Sequence, residues 1–272
     1  MKIISAYERL KKTKKIKGVI FGPHKIGKTS LLWTLDPKKT LFVDAEAGDL
    51  SVLDWPGDSL ELRTWDEAVD IACLLGGPNP AFKPHQSYSK EHFDNVKEKI
   101  QLDLKKYDII FIDSITVVAR LAFNHIKALP DFTAKSGAID TRGAYGQLGQ
   151  DMISWITQLQ HIKDKNIWFV SLLNLKLNEF NVVVPEPQIE GAKTGLELPG
   201  IVDQVITMAE ITTDEKSFRA FVCQRPNPWG YPAGDRSGKL DMIEKPHLGE
   251  LMQKIIKGKR KNVLDYNYEI GE

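Results

Sequence analysis

The stretch Gly22-Pro23-His24-Lys25-Ile26-Gly27-Lys28-Thr29 decides how the rest of the chain is interpreted. It fits G-x-x-x-x-G-K-[ST], the pattern of a loop that binds phosphate groups. The apolar, β-branched run at 16–21 predicts a buried strand before the loop, and the run at 30–35 predicts the first turns of a helix after it. Strand, glycine loop and helix in this order are the context that the motif requires. An ordinary glycine turn that caps a helix is the alternative.

Each residue type in this loop has a chemical reason. Gly22 and Gly27 allow a close backbone approach, so that successive N–H groups can point at phosphate oxygens. Lys28 would reach the β- and γ-phosphates, and the Thr29 hydroxyl would ligate Mg²⁺. The predicted nucleotide-binding residues are therefore the contiguous set Gly22, Pro23, His24, Lys25, Ile26, Gly27, Lys28, Thr29 and Ser30.

Composition sets limits on the class of protein. The chain has 272 residues, of which 42% are hydrophobic, which is ample for the core of one large α/β domain. The formal net charge of +1 implies no global attraction to nucleic acid or membrane, although basic runs at 11–17 and 254–261 are either solvated surface or contacts to a phosphate backbone. The only cysteines, Cys73 and Cys223, form no metal or disulfide spacing, and no run is long enough to span a bilayer. We expect a soluble cytoplasmic protein with no membrane partner.

Hydrophobic periodicity predicts alternating strands and helices. We expect strands at 16–21, 40–44, 60–65, 107–114 and 167–173, and a final hairpin at 201–212 and 217–224. Helices are expected at 67–75, with Asp66 as cap, and at 90–106, 115–129, 150–163 and 246–257. The segments 76–88, 130–149 and 174–200 are rich in glycine, proline or polar residues and are predicted to be irregular. The predicted fold is an α/β domain over 16–258, with a polar lead-in at 1–15 and a tail at 259–272. Its sheet is mostly parallel, with helices on both faces and a C-terminal antiparallel hairpin.

Two acidic positions complete the predicted site. Asp113 closes the apolar run 109–112 in the Walker B pattern, and such an aspartate holds the Mg²⁺ that bridges nucleotide phosphates. Capping of the following helix is its alternative role. Asp44 and Glu46 follow the second strand, where the period of two would place both side chains on one side. Glu46 is the candidate for activating water, because Ser114 stands where many such ATPases have glutamate; a solvated loop acid is the alternative.

These motifs, in this order and spacing, resemble the RecA-type ATPase core. The resemblance covers about residues 16 to 255 and is nearest to compact, single-domain ATPases encoded by phages. It implies ATP and Mg²⁺ as cofactors, Glu46 as the catalytic base, and a role in recombination or annealing of single-stranded DNA in the host cytoplasm. RecA has a polar sensor, usually glutamine, after its fourth strand; here Asn174 is the candidate. The segment 233–240 also resembles the phage proteins, and basic residues in this region of RecA-like assemblies reach a neighbouring subunit's γ-phosphate. The resemblance thereby assigns that role to Arg236 and Lys239.

The same resemblance implies partners. In the family, the segments after the Walker B helix and after the fourth strand line the DNA channel, and they match 130–149 and 174–200 here. The implied DNA contacts are Lys135, Arg142, Tyr145, Lys176 and Lys193, with Tyr145 as a stacking platform. A single-strand-binding protein is a possible second partner. The expected assembly is a homo-oligomer, as a ring or a short filament.

Two other classes of function stay open at this point. A GTPase would carry an Asn-Lys-x-Asp signature, which the sequence lacks, and a small-molecule kinase usually has an arginine-rich lid, whereas 76–88 contains no arginine. The third hypothesis is a non-catalytic module in which bound ATP orders an interface. The intact Lys28, Thr29 and Asp113 argue against it.

Overall fold

Strand β1, Lys17–Gly22, lies in the middle of the sheet and carries the phosphate loop at its carboxyl end. All six of its residues are buried, as the apolar run predicted. The structure, a computed structural model, describes residues 3–11, 15–133, 137–177, 181, 183–213 and 216–260. The predicted contact Lys135, parts of both basic runs, two residues of the predicted hairpin turn and most of the predicted tail lie outside the described residues.

Five parallel strands form the half of the sheet that positions the site. They run in the spatial order β3-β2-β4-β5-β1, where β2 is Thr40–Asp44, β3 is Asp58–Glu61, β4 is Ile109–Asp113 and β5 is Asn166–Leu177. The register places Asp44 opposite Asp113, so two acidic residues end neighbouring strands at the same edge. Parallel strands deliver their carboxyl ends to one edge, and this edge also carries the phosphate loop.

The other half of the sheet is mostly antiparallel. Strand β7, Gln204–Thr212, runs parallel to β1 and forms the predicted hairpin with β8, Ser217–Val222. The remaining strands are the short β9, Gly234–Asp235, and β10, Ile243–Glu244, and β6, Val183–Gln188, which pairs with the distal part of β5. A mostly parallel sheet with a C-terminal hairpin is confirmed.

Helices cover both faces of the sheet, as predicted. The seven described helices are α1 Ala6–Lys11, α2 Trp65–Gly76, α3 Lys90–Lys99, α4 Ile115–Lys127, α5 Thr141–Gln160, α6 Ala192–Ile201 and α7 Leu248–Lys257. One hydrophobic core joins α2, α4 and α5 to one face of the sheet, and the Trp155 indole ties α5 to α2 by donating to the Ala68 carbonyl at 2.8 Å. A second core packs α7 and the turn after the phosphate loop on the opposite face. None of the described helices is long and apolar enough to cross a membrane.

The prediction of an irregular segment at 130–149 was wrong, because α5 begins at Thr141. The Asp140 side chain caps it by accepting from the Gly143 amide at 3.0 Å. Its buried residues recur with helical spacing at Ala144, Leu148, Met152 and Trp155, but three interspersed glycines lower the local helix propensity and hid this period. Arg142 and Tyr145 therefore lie on a helix.

The prediction of an irregular segment at 174–200 was also wrong. Strand β5 continues to Leu177, β6 pairs with it in antiparallel register, and α6 follows. Pro185 and Pro187 argued against a strand, but β6 pairs only with β5 among the described strands. An edge strand tolerates proline because it need not donate on its free side.

Three predictions about helices also differ from the structure in type, end or cap. A 3-10 turn at Thr29–Thr34 takes the place of the helix expected after the phosphate loop. Helix α3 ends at Lys99 rather than at 106. Helix α2 is capped by Thr64 and Glu67 in a reciprocal capping box, not by Asp66.

Candidate active site

The phosphate loop packs closely against β7. A Cβ atom at Gly22 would lie 2.8 Å from the Met208 carbonyl oxygen, which is closer than real Cβ contacts allow. Gly27 has φ +102°, a conformation that side chains rarely adopt, and Lys25 also has a positive φ of 60°. The two motif glycines are therefore required by the backbone geometry of this loop.

Lys28 is a buried cation held by its own loop. Its Nζ donates to the carbonyl oxygens of Gly22 at 3.0 Å and Pro23 at 2.7 Å. Burial lowers the pKa of the Lys28 ammonium, while the carboxylates of Asp113 and Glu46 oppose that shift. A phosphate group beside this ammonium would favour its charged form.

A hydrogen bond joins the two predicted motifs. The Thr29 hydroxyl donates to Asp113 Oδ2 at 2.5 Å, so the phosphate loop and the end of β4 meet. Burial raises the pKa of the Asp113 carboxyl to about 7, the Thr29 hydrogen bond and Lys28 oppose this shift, and the Glu46 carboxylate adds to it. The predicted alternative role of Asp113 as a helix cap is not seen, since the Ser114 side chain caps α4.

This pair of oxygen donors fits Mg²⁺. The ion prefers hard oxygen ligands and is commonly held by one or two protein groups together with nucleotide phosphates and water. The described residues contain no cluster of three or more histidine, cysteine or acidic side chains that would hold a metal without such a substrate. Thr29 and Asp113 are the residues that would hold the ion.

Glu46 lies on the turn that follows β2 and contacts Ser114, the residue after Asp113. Strand β2 ends at Asp44, so the alternation on which the sequence argument relied does not extend to Glu46. The Asp44 carboxylate instead accepts from the backbone amides of Glu46 and Ala47, each at 2.9 Å, and Ala47 has φ 55°. Burial raises the pKa of Asp44, and these two hydrogen bonds oppose the rise. Asp44 shapes the turn, and Glu46 stays exposed at its tip.

Ser114 is a site residue that the sequence argument missed. It is fully buried, and its hydroxyl donates to Glu46 Oε1. In the sequence, Ser114 stands out only because it occupies the position where many such ATPases have glutamate. The available signal for this role was that Ser114 is a hydroxyl residue directly after the Walker B aspartate, with the acid Glu46 expected nearby.

The other predicted catalytic residues make no described hydrogen bond or ion pair with this cluster. Asn174 lies in β5, in register with Glu186 of β6. The Arg236 guanidinium donates to the Gly200 carbonyl and lies 3.5 Å from an Asp203 carboxylate oxygen. Lys239 Nζ donates to two carbonyls in the last turn of α7, those of Ile255 and Ile256, at 2.7 and 2.8 Å. In this state Arg236 and Lys239 contact groups of their own chain.

Two of the predicted DNA contacts meet in one cavity. Tyr145 and Lys193 both line an open cavity of about 600 Å³ between α5 and the turn before α6. The Tyr145 ring stacks on Phe123 with centroids 4.3 Å apart, and its hydroxyl donates to Glu190 at 2.7 Å.

The remaining predicted DNA contacts are separate from that cavity. Arg142 is exposed in the first turn of α5. Lys176 forms an exposed ion pair with Glu186 at 2.9 Å.

The fold and the site together define a P-loop nucleotide-binding protein built on a mostly parallel sheet. Residues 14–237 match the family model described as an AAA domain, and the chain belongs to that family. Among solved structures it is similar to the KaiC-like protein PH0186 from the hyperthermophilic archaeon Pyrococcus horikoshii OT3. The two share 10% identity over 77% of this chain and 78% of that one, with a TM-score of 0.39. No match was found among the curated proteins.

Proposed function

We propose that the chain is a Mg²⁺-dependent ATPase that couples hydrolysis to the binding of single-stranded DNA, in recombination or annealing of the kind that phages use. The observation that carries the proposal is the convergence of Lys28, Thr29, Asp113 and Glu46 at one edge of the sheet. A binding loop, a metal-ligand pair and an exposed carboxylate are the groups that phosphoryl transfer to water requires.

When ATP binds, the Lys28 ammonium changes its hydrogen-bond partners. Its ammonium leaves the carbonyls of Gly22 and Pro23 for phosphate oxygens, and the loop amides surround the phosphates. Mg²⁺, when bound, neutralises charge on the transferred phosphoryl group. Thr29 and Asp113 would hold the ion. The positive charge of the ion would favour the ionised form of the Asp113 carboxyl.

Glu46 accepts the proton of the attacking water. Its carboxylate is exposed, whereas Asp113 is buried, so it is the acid that a water molecule can reach. The hydroxyl of Ser114 occupies one of its oxygens and fixes the orientation of the carboxylate. The oxygen of the water bonds to the γ-phosphorus, the bond to ADP breaks, and the proton moves to Glu46.

The DNA part of the proposal has a structural basis in the cavity beside α5. Tyr145 offers a ring held in place by Phe123, and Lys193, whose ammonium lies 3.9 Å from a Glu197 carboxylate oxygen, places a cation at the same opening. Aromatic rings beside cations bind single strands with little preference for sequence. We further propose a homo-oligomer in which Arg236 and Lys239 exchange their carbonyl partners for a neighbour's γ-phosphate, and a single-strand-binding protein as a second partner.

The test is ATP hydrolysis with and without a long single-stranded DNA, across salt and protein concentration. We expect stimulation by DNA that fades with salt and a rate that rises more than linearly with protein. Tyr145→Ala together with Lys193→Ala should remove the stimulation. Lys90→Ala serves as the control, because Lys90 is an exposed lysine of α3 with the same (i, i+4) type of ion pair as Lys193 and lies outside the predicted DNA-binding segments. Turnover indifferent to DNA would contradict the DNA part and favour a kinase or isolated hydrolase. Tight ATP binding without any turnover would leave a switch module as the function.

A further inference from the structure

Arg219 lies beside the phosphate loop although it is distant from it in sequence. It sits in β8, directly opposite Glu210 of β7 in the antiparallel register. Strand β7 neighbours β1, and its Met208 packs on the loop through both its carbonyl oxygen and its side chain. The hairpin thus carries Arg219 past the end of β1 to the position of the loop.

The distance between Arg219 and the phosphate loop is defined at Gly27. The Nη1 atom of Arg219 lies 3.3 Å from the position that a Cβ atom on Gly27 would occupy. Gly27 precedes Lys28 in the motif, so the guanidinium lies next to the part of the loop whose backbone amides surround phosphates.

Arg219 has no anionic partner among the residues that the structure describes. It forms no hydrogen bond or ion pair there, although Glu210 is its cross-strand neighbour. Arg63 and Arg236, by contrast, each have a carboxylate within 4 Å. A guanidinium presents five donors and binds phosphate with charge-assisted hydrogen bonds.

We propose that Arg219 is a phosphate-binding residue that acts within its own subunit on the α- and β-phosphates of the bound nucleotide. This inference rests on the proposed function of the loop. Because the loop backbone surrounds the phosphates that ATP and ADP share, Arg219 strengthens the binding of both nucleotides. Its role differs from that of Lys28, which reaches toward the γ-phosphate.

The test is equilibrium binding of MgATP and MgADP to the full chain at low and high salt. Arg219→Met keeps much of the aliphatic length and removes the charge. We expect it to weaken the binding of both nucleotides about 10-fold at low salt, and less at high salt because the lost attraction is screened. Arg120→Met is the matched control. Arg120 is exposed on α4, on the other face of the sheet, and has no ion pair among the described residues. This variant should bind like the wild type.

Three results would overturn the inference. Unchanged binding in Arg219→Met would show that the guanidinium does not contact phosphate. A loss confined to MgATP would place the contact at the γ-phosphate, and an equal loss at both salts would indicate lost packing rather than lost charge. A wild type that binds neither nucleotide would instead overturn the proposed function itself.

Discussion

Ser114 shows how much the site depends on a single hydroxyl. The residue caps α4, where its side chain accepts from the Val117 amide, and it donates to Glu46. One side chain thus fixes the start of a helix and the orientation of the proposed base. Removing it should affect both stability and turnover.

We predict that Ser114→Ala lowers kcat about 10-fold or more, since an unanchored Glu46 spends less time in the productive orientation. The affinity for MgATP should not change, because the hydroxyl contacts no residue of the phosphate loop. Loss of the cap should cost about 1 kcal/mol of unfolding free energy. Steady-state kinetics, nucleotide binding and urea unfolding measure the three quantities.

Ser89→Ala supplies the matched control. Ser89 caps α3 by accepting from the His92 amide, and it is also buried, but it lies away from the site. This variant should lose similar stability and keep its kcat. A Ser114→Ala enzyme with normal kcat would show that the contact to Glu46 plays no part in catalysis.

At the scale of elements, the sequence was sufficient to predict a strand or a turn where the local pattern is unambiguous. The run 109–112 is apolar on both faces, and β4 is a central buried strand as predicted. The glycines at 22 and 27 likewise mark positions where the backbone admits no side chain. These features are local, so a single sequence specifies them.

The elements that were missed depend on contacts with distant residues. Helix α5 is stabilised by packing on α2 and α4, which offsets the low helix propensity of its glycines. Strand β6 exists because β5 extends far enough to pair with it. The contact between Ser114 and Glu46 also joins positions that only the fold brings together.

Docking of the phosphate loop on β7 leads to a prediction about Gly22. In Gly22→Ala the new methyl group would clash with a backbone carbonyl, so the loop or β7 must shift. We expect weaker MgATP binding and a loss of about 1–3 kcal/mol in unfolding free energy. Gly200→Ala is the control, because nothing lies within 4 Å of its new methyl group. Normal nucleotide affinity in Gly22→Ala would contradict the tight packing.

At the scale of the whole molecule, Lys17 is a cation buried at the foot of the sheet. Lys17 is 4% exposed, and its ammonium donates to the Lys165 carbonyl at 2.6 Å. Burial lowers its pKa from the ordinary value of 10.5 to about 8, although Asp203 and Asp164 oppose the shift. Below pH 8 the folded protein must therefore carry a poorly solvated charge.

This shift predicts how stability depends on pH. Between pH 8 and 10.5 the unfolded chain binds the Lys17 proton and the folded chain does not, so stability rises with pH. Relative to Lys17→Met, which has no such proton, the wild type should gain roughly 2–3 kcal/mol from pH 7 to pH 10.5. Urea unfolding of both proteins across this range measures the difference. A constant difference would contradict the lowered pKa.

In the molecule as a whole, the residues proposed to act on ATP lie at one edge of the parallel part of the sheet. The strands that end in Asp44 and Asp113 and the strand that ends in the phosphate loop all open on the same edge. The central claim is that this edge hydrolyses ATP with Glu46 as the base.

The most direct measurement compares ATP turnover and MgATP affinity in the wild type and in Glu46→Gln. The account predicts that the amide, which cannot accept the proton, abolishes hydrolysis while the affinity for MgATP stays unchanged. Asp49→Asn, at an exposed acid three residues on, should behave like the wild type. Turnover in Glu46→Gln equal to that of the wild type would contradict the account.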